Sequence, residues 1–592
     1  MNTGNAFFGY VEPRAPGSLH HAPVPAVSDS IQLDSPTSTL ACFAAGPNGL
    51  MAATGEADGM GAAFLGELYN AATLRRELGA PADTPLPRLL LQAFERWSVH
   101  CLERLDGICA LACWQEDTLY LYRDGSSARN LYHMTTPHGG VAFATDLDRL
   151  FELPGIERRI ARRSLHEYLR LLDISAPNTL YEGVSVLEAG HVLSWSPGRQ
   201  HTEPVDPQVG ATAAPSCIEE AIDVLEARLQ QSCESRLRDL DRPAAFLSGG
   251  VDSSLVCALA KRFTPDLTAV TVGFSGAHFD ETPVARKVAQ HLEIRHEVLH
   301  FDREQYLRAF ETFNHGAEQP CADPAAPPTL LGFEYCQDRF GGMLESSGAD
   351  ENVGLMPPRH VRIAVAYAAP LPASMRRALL AAMHRLPVAR RYTPILDFEH
   401  PAELMMRWDG FTRQEIEALC GEPVSFEHTQ FFRIFGDFPR TAHFERYSAL
   451  EDAMPNDRVH QAARMTGLPV RFPYYEAGVD AYIRALPIEY RYQPGEPKRI
   501  LRELLARYVP RSIWDAPKHG FDFPFLEFLE GEDYALVRKY LDENRWRRLQ
   551  VLEPTQVAAY GKRFIAGEKR LLFRIWALVV LAAWLEGHGD DQ

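Results

Sequence analysis

The stretch Ser248-Gly249-Gly250-Val251-Asp252-Ser253-Ser254 constrains this chain more than any other. It follows the apolar run Ala244-Ala245-Phe246-Leu247 and precedes a helical run from Leu255 to Phe263. A strand, a tight glycine turn and a helix N-terminus are predicted in that order. Such a junction aims several backbone N–H groups and the positive end of the helix dipole at one point, where a pyrophosphate can sit. Ser253 and Ser254 are suited to cap the helix or to bind phosphate oxygen. Asp252 is placed to hold Mg²⁺ against the phosphates. No lysine follows the glycines, so this is not a Walker A loop. The predicted phosphate cradle is Leu247, Ser248, Gly249, Gly250, Val251, Asp252, Ser253 and Ser254.

Around that junction, 592 residues allow two or three domains with full hydrophobic cores. A formal charge of −18 repels phosphate backbones and argues against nucleic acid as the main partner. Ten cysteines occur without a CxxC pair, and Cys109 and Cys113 share one face of a predicted strand. A reduced, cytoplasmic compartment fits that usage. Met1 to Tyr10 has neither the basic region nor the apolar run of a signal peptide. Leu571 to Leu585 is apolar but short for a bilayer and contains Arg574, so a buried helix is predicted and no membrane span.

From Cys101 to Trp195 the pattern is short alternating strands, such as Gly107 to Trp114 and Thr118 to Tyr122. His201 to Ser216, rich in Pro, Ala, Thr and Gly, reads as an interdomain linker over 201–216. A helix over about Cys217 to Leu237 leads into the glycine turn. Strand-like Thr268 to Phe274, helical Glu281 to His291 and strand-like Arg295 to Leu299 follow. This βαβ alternation predicts a parallel α/β sheet with nucleotide at the carboxyl ends of its strands. Beyond Glu351 the patterns are mostly helical.

The glycine-rich stretch resembles the PP-loop of ATP pyrophosphatases, which cleave ATP between the α and β phosphates. The order of segments resembles the asparagine synthetase family over almost the whole chain. In the N-terminal half the matching pieces are Gly66-Glu67-Leu68-Tyr69-Asn70, Tyr122-Arg123-Asp124-Gly125, Phe143-Ala144-Thr145-Asp146 and Leu187-Glu188-Ala189-Gly190-His191. The resemblance implies a mixed α/β and α+β chain. Residues 1–200 would form an N-terminal-nucleophile glutaminase-like αββα sandwich. Residues 217–592 would form a doubly wound α/β PP-loop domain that adenylates, with a helical C-terminal part. The family's nucleophile is a cysteine directly after the initiator methionine. Here the chain begins Met1-Asn2-Thr3, and an amide side chain cannot attack a carbonyl. Between Arg14 and Arg75 there is also no Lys or Arg to hold a glutamine α-carboxylate. The glutaminase domain is therefore expected to keep its fold and lack its activity.

In the second half Val272-Gly273-Phe274 falls at the family's adenine site. Glu345 to Gly354 resembles its second acidic loop, making Asp350 the partner of Asp252 on Mg²⁺ and adding Gly348 to the pyrophosphate site. The family has a glutamate where this chain has Ser347, so a carboxylate is lost from the acceptor pocket, to which Ser347, Glu351 and Glu476 are assigned. Arg471 to Glu476 resembles an R-x-P-F-L-D turn, Lys498 lies in a K-x-I-L-R segment and Lys518 in a K-x-G-F segment. Lys498 is then the catalytic cation, Lys518 the grip on departing pyrophosphate, and Glu476 and His519 candidate bases.

The reaction implied is adenylation of a carboxylate by ATP with Mg²⁺, then attack by an amine. Two branches of the family do this with inactive glutaminase domains: β-lactam and carbapenam synthetases, and lasso peptide cyclases. A serine at 347 leaves room for a larger substrate. Arg359, Arg362, Arg376, Arg377, Arg385, Arg390, Arg391 and Arg407 crowd 357–408, where they suit an acidic or peptidic substrate or simply a solvated face. The favoured expectation is a lasso peptide cyclase acting on a precursor peptide, accompanied by a leader-recognition protein and a leader peptidase. β-Lactam-type closure, a paralogue using free ammonia and a lapsed scaffold remain as alternatives.

Overall fold

A computed structural model of the chain describes all residues except 1–5, 14–28, 35–37, 46–49, 54–58, 127, 154, 211–213, 275–279, 355–358, 385–395, 397, 399, 401–402, 405–409, 436–456, 494, 516–523 and 589–592. Asn2, Thr3, Lys518 and His519, and much of the arginine-rich segment, lie outside the described residues.

The N-terminal half is built from strands β1 (Ala6–Pro13), β2 (Asp29–Asp34), β3 (Ser38–Ala45), β4 (Leu50–Ala53), β5 (Gly61–Leu68), β6 (Gly107–Gln115), β7 (Thr118–Arg123), β8 (Tyr132–Thr135), β9 (Val141–Ala144), β10 (Ser185–Val186), β11 (His191–Ser196) and β12 (Arg199–Pro204). They form two antiparallel sheets, β10-β8-β9-β1-β3-β2 and β12-β11-β7-β6-β5-β4. Alternation along β6 explains the layering. Ala110, Ala112 and Trp114 face Phe7, Cys42 and Phe143 of the other sheet, while Cys109, Leu111 and Cys113 face Leu90 and Phe94 of the helix Leu86–Trp97. A strand covered on both faces reads as a continuous apolar run because neither side meets water. Phe8, Phe43 and Ala144, on the outer face of the first sheet, pack on Leu147, Leu165 and Leu169 of the helices Leu147–Phe151 and Arg162–Leu171. Two sheets between helices result.

Residues 201–204 belong to β12, which corrects the reading of 201–216 as linker throughout. The β11–β12 hairpin closes through Pro197-Gly198, and every residue of β12 is exposed, so no apolar alternation betrayed it. The boundary at residue 200 is also crossed by packing. The helix Arg162–Leu171 sends Tyr168 Oη to the Ala577 carbonyl at 2.9 Å and Arg162 to the Val551 and Cys420 carbonyls, inside the C-terminal half.

The C-terminal half carries a fully parallel sheet of β13 (Pro243–Phe246), β14 (Thr268–Val272), β15 (Arg295–Leu299), β16 (Gly342–Leu344) and β17 (Val470–Arg471) in the order β15-β14-β13-β16-β17. The chain winds outward from β13 to β15 and then returns to the other side of β13. That reversal makes a switch point between β13 and β16, where α/β sheets bind ligands outside their carboxyl ends. One face, through Ala245, Ala269 and Leu344, packs on the helices Ile218–Leu237, Val251–Ala260 and Arg499–Ala506. The other, through Ala244, Val270 and Met343, packs on Arg303–Gly316, Ala326–Gln337 and Leu572–Gly587. Ile575 to Leu585 are all buried in that last helix, and among the described residues no helix is long and apolar enough to cross a membrane.

Candidate active site

The two loops leaving the switch point carry the chemistry. After β13, Gly249 adopts φ +83°, and a Cβ there would lie 2.7 Å from the Ala285 backbone nitrogen. Only glycine lets the loop press against the helix Thr282–His291 in that conformation. Gly250 is the N-cap of the helix Val251–Ala260 and gives it no side-chain cap, which leaves the N–H groups of its first turn to a ligand. Neither Ser253 nor Ser254 caps that helix as the sequence had allowed. Ser253 Oγ accepts the Ser248 N–H at 3.1 Å and lies 3.0 Å from Ser248 Oγ, bracing the loop from inside. Ser254 Oγ is buried with no hydrogen-bond partner among the described residues. Leu247 donates its N–H to the Val270 carbonyl at 2.9 Å, and Thr271 Oγ1 donates to the Leu247 carbonyl, which fixes the loop's entry.

After β16, Gly348 (φ +95°) is the N-cap of the short helix Ala349–Val353, which carries Asp350 and Glu351. A Cβ on Gly348 would meet the Tyr475 ring at 3.0 Å. Phe472 to Glu476 link the two loops. Tyr474, fully buried, accepts Asn352 Nδ2 on its carbonyl at 2.7 Å and points its hydroxyl at the Asp252 carbonyl at 3.4 Å.

The loops meet at Lys498. Its Nζ lies 2.6 Å from Asp252 Oδ2 and 2.7 Å from Asp350 Oδ1. Lys498 holds a left-handed backbone, φ 57°, as the residue that starts the helix Arg499–Ala506. A lysine in that region is strained, and such strain gathers at functional sites. Burial alone would pull the ammonium below the ordinary lysine value, but Asp252 and then Asp350 outweigh it and hold the group above that value. Thus three residues separated by up to 246 positions converge on one cation position.

The structure sorts the remaining candidates. Val272 ends β14, and Gly273 donates its N–H to the Leu299 carbonyl at 2.8 Å, so the predicted strand stops two residues before Phe274. A Cβ on Gly273 would lie 2.7 Å from both the His300 ring and Thr282 Oγ1, so the chain turns there. Phe274 stacks on Tyr306 at 6.3 Å. Glu476 caps the helix Ala477–Ala485 by accepting the Val479 N–H at 2.7 Å, which gives this pocket candidate a structural task. Arg376 does not line a groove as the arginine cluster had suggested. It is buried, stacks on Phe398 at 3.6 Å and donates to the Phe398 carbonyl at 2.9 Å. Arg362 and Arg377 are exposed.

Sequence reasoning passed over the residues beside this centre. Arg458 Nη1 pairs with Asp323 Oδ2 at 2.6 Å, and Glu345 Oε2 accepts the Ser347 N–H at 2.6 Å. It also passed over a junction between the halves: Arg471 grips Glu67 through Nε–Oε2 at 2.8 Å and Nη2–Oε1 at 3.2 Å, and donates to the Arg236 and Arg238 carbonyls.

The asparagine synthase family model matches residues 224–586, more than half of the chain. The chain belongs to the asparagine synthase family. A glutamine amidotransferase domain model matches residues 45–205. A putative glutamine-hydrolysing asparagine synthetase of Mycobacterium tuberculosis is 28% identical over 533 residues, spanning 81% of this chain and 80% of that protein. The glutamine-hydrolysing asparagine synthetase 1 of Bacillus subtilis is 26% identical over 509 residues, 81% of this chain and 78% of that one. The carboxyethyl-arginine β-lactam synthase of Streptomyces clavuligerus is 28% identical over 246 residues, 40% of this chain and 44% of that one. As a family member, the protein is an ATP-dependent carbon–nitrogen ligase.

Proposed function

We propose that this ligase adenylates a side-chain carboxylate of a precursor peptide and closes it onto the peptide's own N-terminal amine, a macrolactam cyclase of the lasso-peptide type. The observation that carries adenylation is the convergence of Asp252 and Asp350 on Lys498 at the switch point. The glycine turn, the uncapped helix start and the unpartnered Ser254 hydroxyl suit a triphosphate. The paired carboxylates suit Mg²⁺, with phosphate oxygens completing its shell. Mg²⁺ bound there would neutralise triphosphate charge and make the α-phosphate a better electrophile.

Each side chain then has a task. The N–H groups of the first helical turn after Gly250 hold the β and γ phosphates in line. Lys498, fixed by its unusual backbone, stabilises negative charge first on the α-phosphate under attack by the carboxylate and then on the tetrahedral carbon formed by the amine. Lys518, in its K-x-G-F segment, steadies departing pyrophosphate. Val272, Gly273 and Phe274 line the adenine side. Ser347, Glu351 and Glu476 border the acceptor side.

The amine is not ammonia from glutamine. No Lys or Arg stands between Arg14 and Arg75 to hold a glutamine carboxylate, and Arg75 itself donates to the Thr84 carbonyl at 3.0 Å. An amine on the substrate needs no ammonia supply, because its effective concentration at the acyl-adenylate is high. A peptide is favoured by the helices Arg359–Tyr367 and Ala373–His384. Ile363 with Tyr367 and Met375 with Leu379 sit at helical i, i+4 spacing, all exposed, beside Arg362 and Arg377. A mixed apolar and basic face suits a peptide better than a free amino acid. This reading implies a leader-recognition protein and a leader peptidase as companions. Its cytoplasmic location is proposed from ten free thiols, nine of them buried. The β-lactam synthase relative supports a second reading, small-ring closure.

ATP–pyrophosphate exchange tests the proposal. Exchange with linear peptides that carry a free N-terminus and one internal Asp or Glu, and loss of a water on their conversion, is expected. Conversion of free aspartate and ammonia to asparagine, or exchange only with small β-amino acids, would overturn it.

A further inference from the structure

The family glutamate is missing at position 347, yet a carboxylate stands there. Glu345, the first residue after β16, folds its side chain along the loop so that Oε2 lies 2.6 Å from the Ser347 backbone nitrogen. We propose that Glu345 replaces the lost glutamate as the group that receives the acceptor amine and takes its proton. The inference rests on the adenylation reading of the same site and names the partner for its second half-reaction.

Three features place Glu345 on the acceptor side. Its N–H donates to the Arg471 carbonyl at 3.0 Å, which holds the start of the loop to β17, the edge of the sheet away from the adenine strands β14 and β15. Five residues later the same loop delivers Asp350 to Lys498. Its surroundings mix charges: Asp457 and Arg458 face it from the start of the helix Arg458–Thr466, and Arg458 is itself engaged by Asp323. Burial raises the Glu345 carboxyl above the ordinary glutamate value. The Ser347 hydrogen bonds and Arg458 oppose that rise, and Asp457 adds to it. A carboxyl group more basic than usual is suited to receive an ammonium and accept its proton.

The step balances. Ionised Glu345 takes one proton from the substrate ammonium, giving a neutral amine and a protonated carboxyl. The nitrogen lone pair forms a C–N bond to the acyl-adenylate carbon, and the C–O bond to the adenylyl phosphate breaks with its electron pair leaving on AMP. The second nitrogen proton passes to water.

Glu345→Gln in the full-length protein separates the two half-reactions. With the Asp- or Glu-bearing linear peptides as probes, pyrophosphate exchange should persist within about threefold, while amide formation falls about 10²–10⁴-fold. Hydroxylamine, neutral at pH 7, should restore product as an intermolecular hydroxamate, and Glu345→Asp should recover part of the cyclic amide. Undiminished amide formation in Glu345→Gln overturns the proposal, and so does a loss of exchange equal to the loss of amide. A wild type that exchanges with none of these peptides removes the peptide reading. Difference infrared titration of wild type against Glu345→Gln then decides Glu345 without substrate. A carboxyl band titrating above the usual glutamate value of about 4.3 is expected, and one at or below that value overturns the assignment.

Discussion

Replacing Lys498 by Gln removes the one cation that both loops of the site share, and the geometry sets the size of the effect. Two charge-assisted bonds are lost, one to a nearly buried Asp252 and one to an Asp350 side chain 43% exposed. The unpaired Asp252 contributes about 1–3 kcal/mol of destabilisation, while the exposed Asp350 contributes no more than about 1 kcal/mol. The two carboxylates, at most about 5 Å apart around the vacated point, then repel by about 3 kcal/mol at an effective dielectric constant near 20, reduced by water at Asp350. A net loss of about 2–5 kcal/mol follows.

Mg²⁺ changes that result in a way no loss of packing would. A divalent ion between the carboxylates relieves the repulsion, so thermal unfolding of Lys498→Gln should respond to Mg²⁺ far more than that of wild type. Adding Asp350→Asn should recover most of the lost stability without Mg²⁺ and recover no activity. Pyrophosphate exchange should fall about 10²–10³-fold in Lys498→Gln, the cost of one preorganised charge at a reacting centre. The pairing holds the ammonium above the usual lysine value, so its contribution is full through neutral pH and is lost only as pH rises through the folded-state value. Scanning calorimetry with and without Mg²⁺, together with exchange kinetics, makes the check. A Lys498→Gln protein as stable as wild type in EDTA, or exchanging within about tenfold of it, would refute the reasoning.

Gly249→Ala should abolish ATP binding measured by calorimetry, because its Cβ would lie 2.7 Å from the Ala285 nitrogen at a φ of +83°. His460 is buried against Phe472, and burial lowers its value from 6.5 to about 4. The unfolded chain binds that proton first, so His460 by itself should remove about 3 kcal/mol of stability as pH drops from 6.5 to 4. Urea unfolding of wild type and His460→Leu should differ by a gap that changes by that amount over this range, and a constant gap would refute it. Arg471→Met should destabilise by about 2–4 kcal/mol, more than Glu67→Gln, because it also strands the Arg236 and Arg238 carbonyls. Urea midpoints of the two variants, measured side by side, decide the order.

What could be read from the chain beforehand was local. The strand Arg295–Leu299 has the limits read for it within the βαβ succession, and the glycine turn stands between strand and helix as its composition demands. β12 escaped notice because a strand exposed on every residue has no hydrophobic period. One arginine of the basic segment departs from both readings because counting charges ignores partners: Arg376 is buried against an aromatic face and a carbonyl at Phe398, beyond any local window. A motif aligned position by position gives Ser347 no carboxylate, and it cannot reveal that the Glu345 side chain reaches forward along the loop to the Ser347 N–H. Asp252, Asp350 and Lys498 were legible as separate motifs, and only the sheet order brings them to one point.

The junction at Arg471 ties the glutaminase-like half to the ligase half. Tyr69 is flanked by the guanidinium groups of Arg236 at 4.4 Å and Arg471 at 5.5 Å, and Asp106 holds Arg236 at 2.8 Å. Glu67, Tyr69 and Asp106 come from the glutaminase-like half, while both arginines come from the ligase half. A buried guanidinium that loses its acids is costly, so these contacts hold the two halves together. Arg471 also accepts the Glu345 N–H on its carbonyl, one residue from where the acceptor loop begins. The N-terminal half thus braces the ligase half through a chain of contacts: Glu67 holds Arg471 of β17, the Arg471 carbonyl takes the Glu345 N–H at the start of the loop, and that loop carries Asp350 to Lys498. Deleting residues 1–200 should therefore unfold the acceptor side rather than release an independent ligase, and no exchange activity should remain in the fragment.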